Sequence, residues 1–148
     1  MYPRAVCDAA VLKRTREECF DADGWFHTGD LVRTDADGFY YFLGRRGSMI
    51  KTAGANVTPA EVENAIARVS RGAPAYVFGV PDPERGQAVV AVIATNDALD
   101  ESALRHELKR ELSAYKIPKR IIAIVPSEIP LLSSGKVDIK RLAAVFDA

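Results

Sequence analysis

Lys136 ends the run Pro130-Leu131-Leu132-Ser133-Ser134-Gly135-Lys136, in which a turn built around one glycine presents an ammonium group just ahead of an amphipathic stretch. Lysine is cationic at neutral pH, so a tip of this kind suits an anionic partner, although many lysines after glycines only face solvent. The run fails as a phosphate-binding P-loop. Position 130 is Pro where that loop has Gly, Val137 stands where Ser or Thr would hold Mg²⁺, and no strand leads directly in. A second segment, Gly24-Trp25-Phe26-His27-Thr28-Gly29-Asp30, combines aromatic anchors, glycines that let the backbone approach a ligand, and a final carboxylate whose acceptor oxygens suit ribose hydroxyls. Its plainer use is Asp30 capping a turn and Trp25 packing a core. In the third segment Arg45 and Arg46 precede Gly47-Ser48-Met49-Ile50-Lys51, a compact cationic loop suited to a phosphate or simply to water.

The elements that must hold these residues follow from periodicity and turn chemistry. The stretch from residue 1 to about 30 reads as irregular and charged, with Lys13 to Glu18 either a short helix or a solvated strip. Leu31-Val32-Arg33, the turn Asp35-Ala36-Asp37-Gly38 and Phe39 to Leu43 spell a β-hairpin that Gly44 ends. Ser48 to Lys51 predicts a short strand, with Gly54-Ala55-Asn56 as a positive-φ turn after it. Thr58-Pro59-Ala60-Glu61 has the form of a capping box with Pro at the first helical position, worth about 1 kcal/mol, and Val62, Ala65, Ile66 and Val69 share the apolar face of the helix it starts. Two apolar runs, Ala75 to Val80 and Ala88 to Ala94, flank the turn-rich Pro81 to Gly86 and read as central strands covered on both faces. A helix from about Glu101 to Ala114, capped by Asp100, buries Leu104, Leu108 and Leu112 and sets Glu101 against Arg105 one turn later. Ile121 to Val125 is a further core strand, and Ile139 to Phe146 a terminal helix after Asp138. The class is α+β: a small central sheet of about three strands flanked by helices, with an N-terminal β-hairpin attached.

At 148 residues the chain can bury one sizeable core, removing roughly 70% of its unfolded surface from water. Lys plus Arg equal Asp plus Glu at 20 each, so no overall field draws nucleic acid or anionic lipid, and any phosphate contact must be local. No apolar run approaches the ~20 residues of a membrane helix, and Met1-Tyr2-Pro3-Arg4 opens no signal-peptide core, which makes a cytoplasmic location the expectation. Cys7 and Cys19 have no CxxC or paired-His companion, so both read as ordinary thiols and no metal site is expected.

Taken together, the GWFHTGD segment, the stretch from Gly44-Arg45 to Glu63 and the Ser133-Ser134-Gly135-Lys136 loop resemble, in the same order, the C-terminal portion of the adenylate-forming (AMP-binding) superfamily. That superfamily includes acyl-CoA synthetases, firefly luciferase and peptide-synthetase adenylation domains, and the look is closest to the fatty-acyl-CoA synthetases. The resemblance covers roughly residues 15 to 146. It implies that residues 1–44 are the tail end of the large AMP-binding domain and residues 45–148 the C-terminal lid. It further implies that Asp30 binds the ribose of ATP, that Arg45 lies near the nucleotide, and that Lys51 and Gly54 belong to a face that turns to the active site for thioester formation. The loop around Gly54 would line the passage for the pantetheine thiol. Lys136 matches the lysine that reaches into the cleft during adenylation.

There are departures from the pattern. Gly47 occupies the hinge position, where an acidic residue or lysine is common; Leu132 stands where Thr is frequent, and Ile139 where Arg or Lys often sits. The implied chemistry is carboxylic acid plus ATP to acyl-adenylate, then acyl transfer to CoA. Lys136 would stabilise the charge that develops on the α-phosphate, and Mg²⁺, held by groups outside this chain, would shield the departing pyrophosphate. ATP, Mg²⁺ and CoA are cofactors of the full-length enzyme, and none is expected to bind this chain tightly alone. The partner is the large N-terminal domain, without which the chain is expected to be inactive. The residues up to about Leu12 do not look like what normally precedes the GWFHTGD motif, so a truncated gene product, an excised domain or a fragment with a foreign start is expected. The competing reading is a stand-alone, noncatalytic module that binds CoA-like or protein partners.

Overall fold

The computed structural model describes residues 15–146. Expectations for residues 1–14, which include Cys7 and the start of the charged stretch, lie outside the described residues. The chain divides into two compact units, with the boundary after Gly47.

In the first unit a single turn of helix, α1 (Arg16–Cys19), leads to Phe20, which bridges Phe26 with ring centroids 5.8 Å apart. Asp21 organises the loop between them. Its Oδ1 accepts from the amides of Asp23 and Trp25 at 3.1 and 2.8 Å, and its Oδ2 meets His27 Nε2 at 2.7 Å. Phe26 is half-buried, whereas Trp25 is 38% exposed, so of the two expected aromatic anchors it is Phe26 that finds an aromatic neighbour.

Strands β1 (Asp30–Thr34) and β2 (Tyr40–Arg45) form the predicted antiparallel hairpin. Asp35 shapes its turn by accepting from the amides of Asp37 and Phe39, both at 3.0 Å, and from the Tyr41 hydroxyl at 2.6 Å. Gly44 lies inside β2, not at its end. There Leu31 pairs with Gly44 but Val32 with Phe42, a bulge that leaves Leu43 as the extra residue. The register continues to Asp30↔Arg45, which places the two sequence-predicted nucleotide residues opposite one another.

The second unit is built on a five-stranded sheet. The long strands β5 (Ala75–Asp82) and β6 (Gly86–Ala94) pair antiparallel over their full length. On its other edge β6 pairs at one end with β3 (Ile50–Thr52), and at the other end in parallel with β7 (Arg120–Ile124). β3 also carries β4 (Ala55–Val57). Beyond the three core strands legible in the sequence, the short strand expected near Ser48 to Lys51 joins the sheet as β3 and brings β4 with it. The turn between them is Ala53-Gly54, with φ of 49° and 78°, the two-residue, positive-φ form that matches strand twist. The turn thus falls one residue earlier than Gly54-Ala55-Asn56, because Ala55 and Asn56 pair with Thr52 and Lys51.

Alternation along β5 and β6 splits the core between the two faces of the sheet. Val77, Val89, Ala91 and Ile93 face one way, packed with Ile50, Val57 and the helices α2 (Pro59–Val69) and α3 (Glu101–Glu111) through Val62, Ile66, Leu104 and Leu108. Phe78, Val90, Val92 and Ala94 face the other, against Ile129 after the turn Pro126–Glu128 and against Leu142 and Phe146 from α4 (Ile139–Ala143) and the turn that follows it. Burying each of the larger aliphatic side chains contributes about 1.5–3 kcal/mol.

The caps are partly as the sequence reads. Asp100 accepts from Ala103 N at 3.0 Å and Asp138 from Arg141 N at 3.1 Å. The Thr58–Glu61 capping box does not form: Thr58 makes no side-chain cap, and only its carbonyl accepts from Glu61 N, at 3.1 Å. Lys116 is the reason on the acidic side, since its Nζ lies 2.5 Å from Glu61 Oε1 and draws that carboxylate away from the helix start. Pro59 nevertheless sits at the first helical position as predicted. Among the described residues no helix is long and apolar enough to cross a membrane.

Candidate functional site

Asp30 and Arg45 meet across the mouth of the hairpin. Arg45 Nε donates to Asp30 Oδ1 at 2.8 Å, with the side chains 67% and 30% exposed respectively. The Arg45 hydrogen bond is the main reason the Asp30 carboxyl is held below the ordinary aspartate range, partial desolvation opposing it. Thr28 Oγ1 accepts from Asp30 N at 3.1 Å, and Arg46 N donates to Gly29 O at 2.8 Å, so the Thr-Gly-Asp corner is tied to the end of β2. Gly29 has φ 76°, a geometry that favours glycine. Around this corner lies a concavity of about 320 Å³ lined by His27, Thr28, Gly29, Asp30, Leu31 and Arg46. An ionised carboxylate beside two guanidinium-bearing residues can offer acceptors to hydroxyls and donors to an anion.

Lys136 is exposed and stands on a defined stalk. Leu131 bridges Val137, Leu132 N donates to Lys136 O at 2.7 Å, and Gly135 N donates to Leu132 O at 2.9 Å. Gly135 at φ 77° gives the loop the form of a tight turn followed by a left-handed glycine. Asp138 N closes the base on Pro130 O at 2.8 Å. Val137, the next residue, packs against the Phe78–Leu142 cluster. The backbone is thus fixed while the ammonium points into solvent, and among the described residues no carboxylate pairs with it.

Lys51 and Gly54 occupy the β3–β4 hairpin, whose Ile50 and Val57 belong to the opposite cluster. Lys51 and Gly54 are exposed, and a Cβ built on Gly54 would meet no heavy atom within 4 Å. Gly47, at the unit boundary, is equally open. The structure brings Asp30 and Arg45 together, and it anchors the Lys51–Gly54 hairpin through Ile50 and Val57 in one cluster and the Lys136 stalk through Val137 in the other.

Sequence reading missed the residues that seat this hairpin: Asp82, Gln87 and Lys119. Asp82 is the informative one, since Asp-Pro-Glu after a strand is an Asx-turn signal. Its Oδ1 accepts from the amides of Glu84 and Arg85, both at 3.0 Å, and its Oδ2 accepts from Lys119 Nζ at 2.7 Å. The Lys119 hydrogen bond is the main cause that holds its carboxyl below the usual range. Among the described residues no cluster of His, Cys, Asp or Glu is arranged to hold a metal ion.

Comparison with known proteins fits this architecture. Residues 61–136 match the AMP-binding enzyme C-terminal domain. The chain is 41% identical over 133 residues to the medium/long-chain-fatty-acid–CoA ligase FadD8 of Mycobacterium tuberculosis, covering 84% of this chain and 23% of that one. It is 42% identical over 127 residues to the sulfoacetate–CoA ligase of Cupriavidus necator, covering 84% and 25%. ATP-bound MatB from Rhodopseudomonas palustris superposes with a TM-score of 0.74 at 31% identity, over 88% of this chain and 26% of that one. The chain spans about a quarter of the length of these relatives. It belongs to the AMP-binding enzyme C-terminal domain family.

Proposed function

We propose that this chain is the C-terminal catalytic portion of an ATP-dependent acyl-CoA synthetase, inactive until joined to a large N-terminal AMP-binding domain. The observation that carries the reading is Lys136: an exposed ammonium on a hydrogen-bonded stalk, in a chain related to CoA ligases. A carboxylate that attacks the α-phosphate of ATP approaches an anion and spreads more negative charge over the phosphoryl oxygens. A fixed cation in a water-poor cleft stabilises that charge with no reorganisation at the moment of reaction. Lys136 acts here as a charge stabiliser, not as a base.

Asp30 accepts from the ribose hydroxyls and Arg45 holds its carboxylate in place beside the nucleotide. With pyrophosphate gone, rotation about the unit boundary at Gly47 withdraws Lys136 and presents the Lys51–Gly54 face, past which the pantetheine arm of CoA reaches the acyl-adenylate. Support for two separately presented segments comes from their anchorage, Ile50 and Val57 in one cluster and Val137 in the other. Mg²⁺ would be held by groups of the large domain, where it would shield pyrophosphate, and this chain's own steps do not run through it.

The test is complementation. A large AMP-binding domain of a related acyl-CoA ligase, lacking its own C-terminal domain, is assayed for acyl-adenylate formation with and without this chain, free or fused. Restored ATP–pyrophosphate exchange supports the proposal. No restoration in the fused form, together with tight binding of CoA or a protein by the chain alone, contradicts it and favours a noncatalytic binding module.

A further inference from the structure

The Lys51–Gly54 hairpin is attached to the rest of the sheet over a short stretch of main chain. β3 shares one register position with β6, Thr52↔Gly86. Beside it, Ala53 N donates to Arg85 O at 2.9 Å. Lys51 N is received by a side chain, Gln87 Oε1, at 2.8 Å. Arg85, Gly86 and Gln87 are consecutive, so the turn between β5 and β6 sets where the hairpin stands.

That turn is in turn held by Asp82. Its side chain, only 5% exposed, gathers the Glu84 and Arg85 amides on one oxygen and Lys119 on the other. Lys119 is itself anchored, with its N–H donating to Val89 O at 2.7 Å and its carbonyl accepting from Arg105 Nη2. Gly79 completes the seat: a Cβ there would lie 2.9 Å from Ile50 Cγ2 and 3.0 Å from Gln87 Cδ, which would push both out of place. The Lys136 stalk shares none of these bonds, since it closes on Pro130, Leu131 and Leu132 and packs on the other face of the sheet.

We propose that Asp82, clamped by Lys119, and Gln87 are positioning residues for the thioester-forming face, fixing Lys51 and Gly54 for the second half-reaction without acting on the first. This rests on the lid function proposed above. It deepens that reading by assigning the CoA step its own supporting residues.

Two measurements test it. In the 148-residue chain, hydrogen exchange followed by NMR should show that Asp82→Asn, Lys119→Gln and Gln87→Ala each lower protection of the Lys51 and Ala53 amides about tenfold, while amides of residues 90–94 change by less than about twofold. Gln87→Glu keeps an acceptor for Lys51 N and should restore protection. In the chain fused to a large domain, Asp82→Asn and Gln87→Ala should reduce the CoA-dependent step about tenfold and raise KM for CoA, with adenylation within about twofold of the parent. Unchanged protection at Lys51 and Ala53, or an equal fall in both half-reactions, overturns the proposal. A parallel Lys136→Ala fusion separates the two ideas. If it leaves adenylation intact, the lid function is at fault, and the amide protection still decides whether these residues position the hairpin.

Discussion

Gly54 allows backbone strain to be separated from obstruction of a passage. Its φ of 78° is unfavourable for any residue with a Cβ, at a cost of about 1–2 kcal/mol. No further steric cost follows, because an added Cβ would find no heavy atom within 4 Å. Its neighbour Ala53 already tolerates φ 49°. Gly54→Ala and Gly54→Leu should therefore lose the same stability to within about 0.5 kcal/mol. For a cooperative unit of about 100 residues the loss is a fall in Tm of roughly 5–15 °C. Their effects on function should diverge. If a narrow thiol-bearing arm slides past this turn, Leu obstructs it far more than Ala, so in a fused enzyme the CoA-dependent rate should drop about 10²-fold or more for Leu and much less for Ala. Calorimetry on the chain and single-turnover thioester formation on the fusion give the two readouts. Equal rates for Ala and Leu would refute the passage. A Tm for Leu far below that of Ala would refute the open geometry.

Glu63 is the group whose burial raises its pKa, the Val77 amide at 2.9 Å only partly opposing the effect. A carboxyl raised on folding contributes most below its unfolded pKa and loses that contribution as pH climbs through the folded value. Glu63→Gln, which keeps an acceptor for Val77, should thus raise Tm at pH 7 and leave it unchanged near the ordinary glutamate pKa of ~4.3. Asp30→Ala should barely change stability, since its pair with Arg45 is largely exposed, but in a fused enzyme should raise KM for ATP about 10- to 100-fold. Leu108→Ala, at a fully buried position between helix and sheet, should cost about 2–5 kcal/mol by denaturant titration and leave the Asp30–Arg45 corner unaffected.

Much of the fold could be read from local chemistry. The continuous apolarity of Ala88 to Ala94 marks a strand buried on both faces, and each of those residues is buried. Asp100 caps as its spacing indicates, and Asp138, which the terminal helix follows, caps in the same way. Where reading failed, a distant residue intervened. Glu61 has the right spacing for a capping box, yet Lys116 lies 55 positions away in sequence and takes its carboxylate. β4 is three residues long, too short to show a period, and exists because a two-residue turn folds it onto β3. The same limit hid part of the site. Lys136, Asp30 and Gly54 stand in recognisable motifs, whereas the role of Gln87 depends on a bond to Lys51 across 36 positions.

The most direct measurement divides the two half-reactions in a Lys136→Ala variant of the chain fused to a large AMP-binding domain. Loss of one preorganised cation facing a developing phosphoryl charge should slow ATP–pyrophosphate exchange by about 10²–10³-fold. Thioester formation from acyl-adenylate supplied ready-made should stay within about threefold of the parent, since that step uses the Lys51–Gly54 face. Adenylation that proceeds at the parent rate without the Lys136 ammonium would contradict the account.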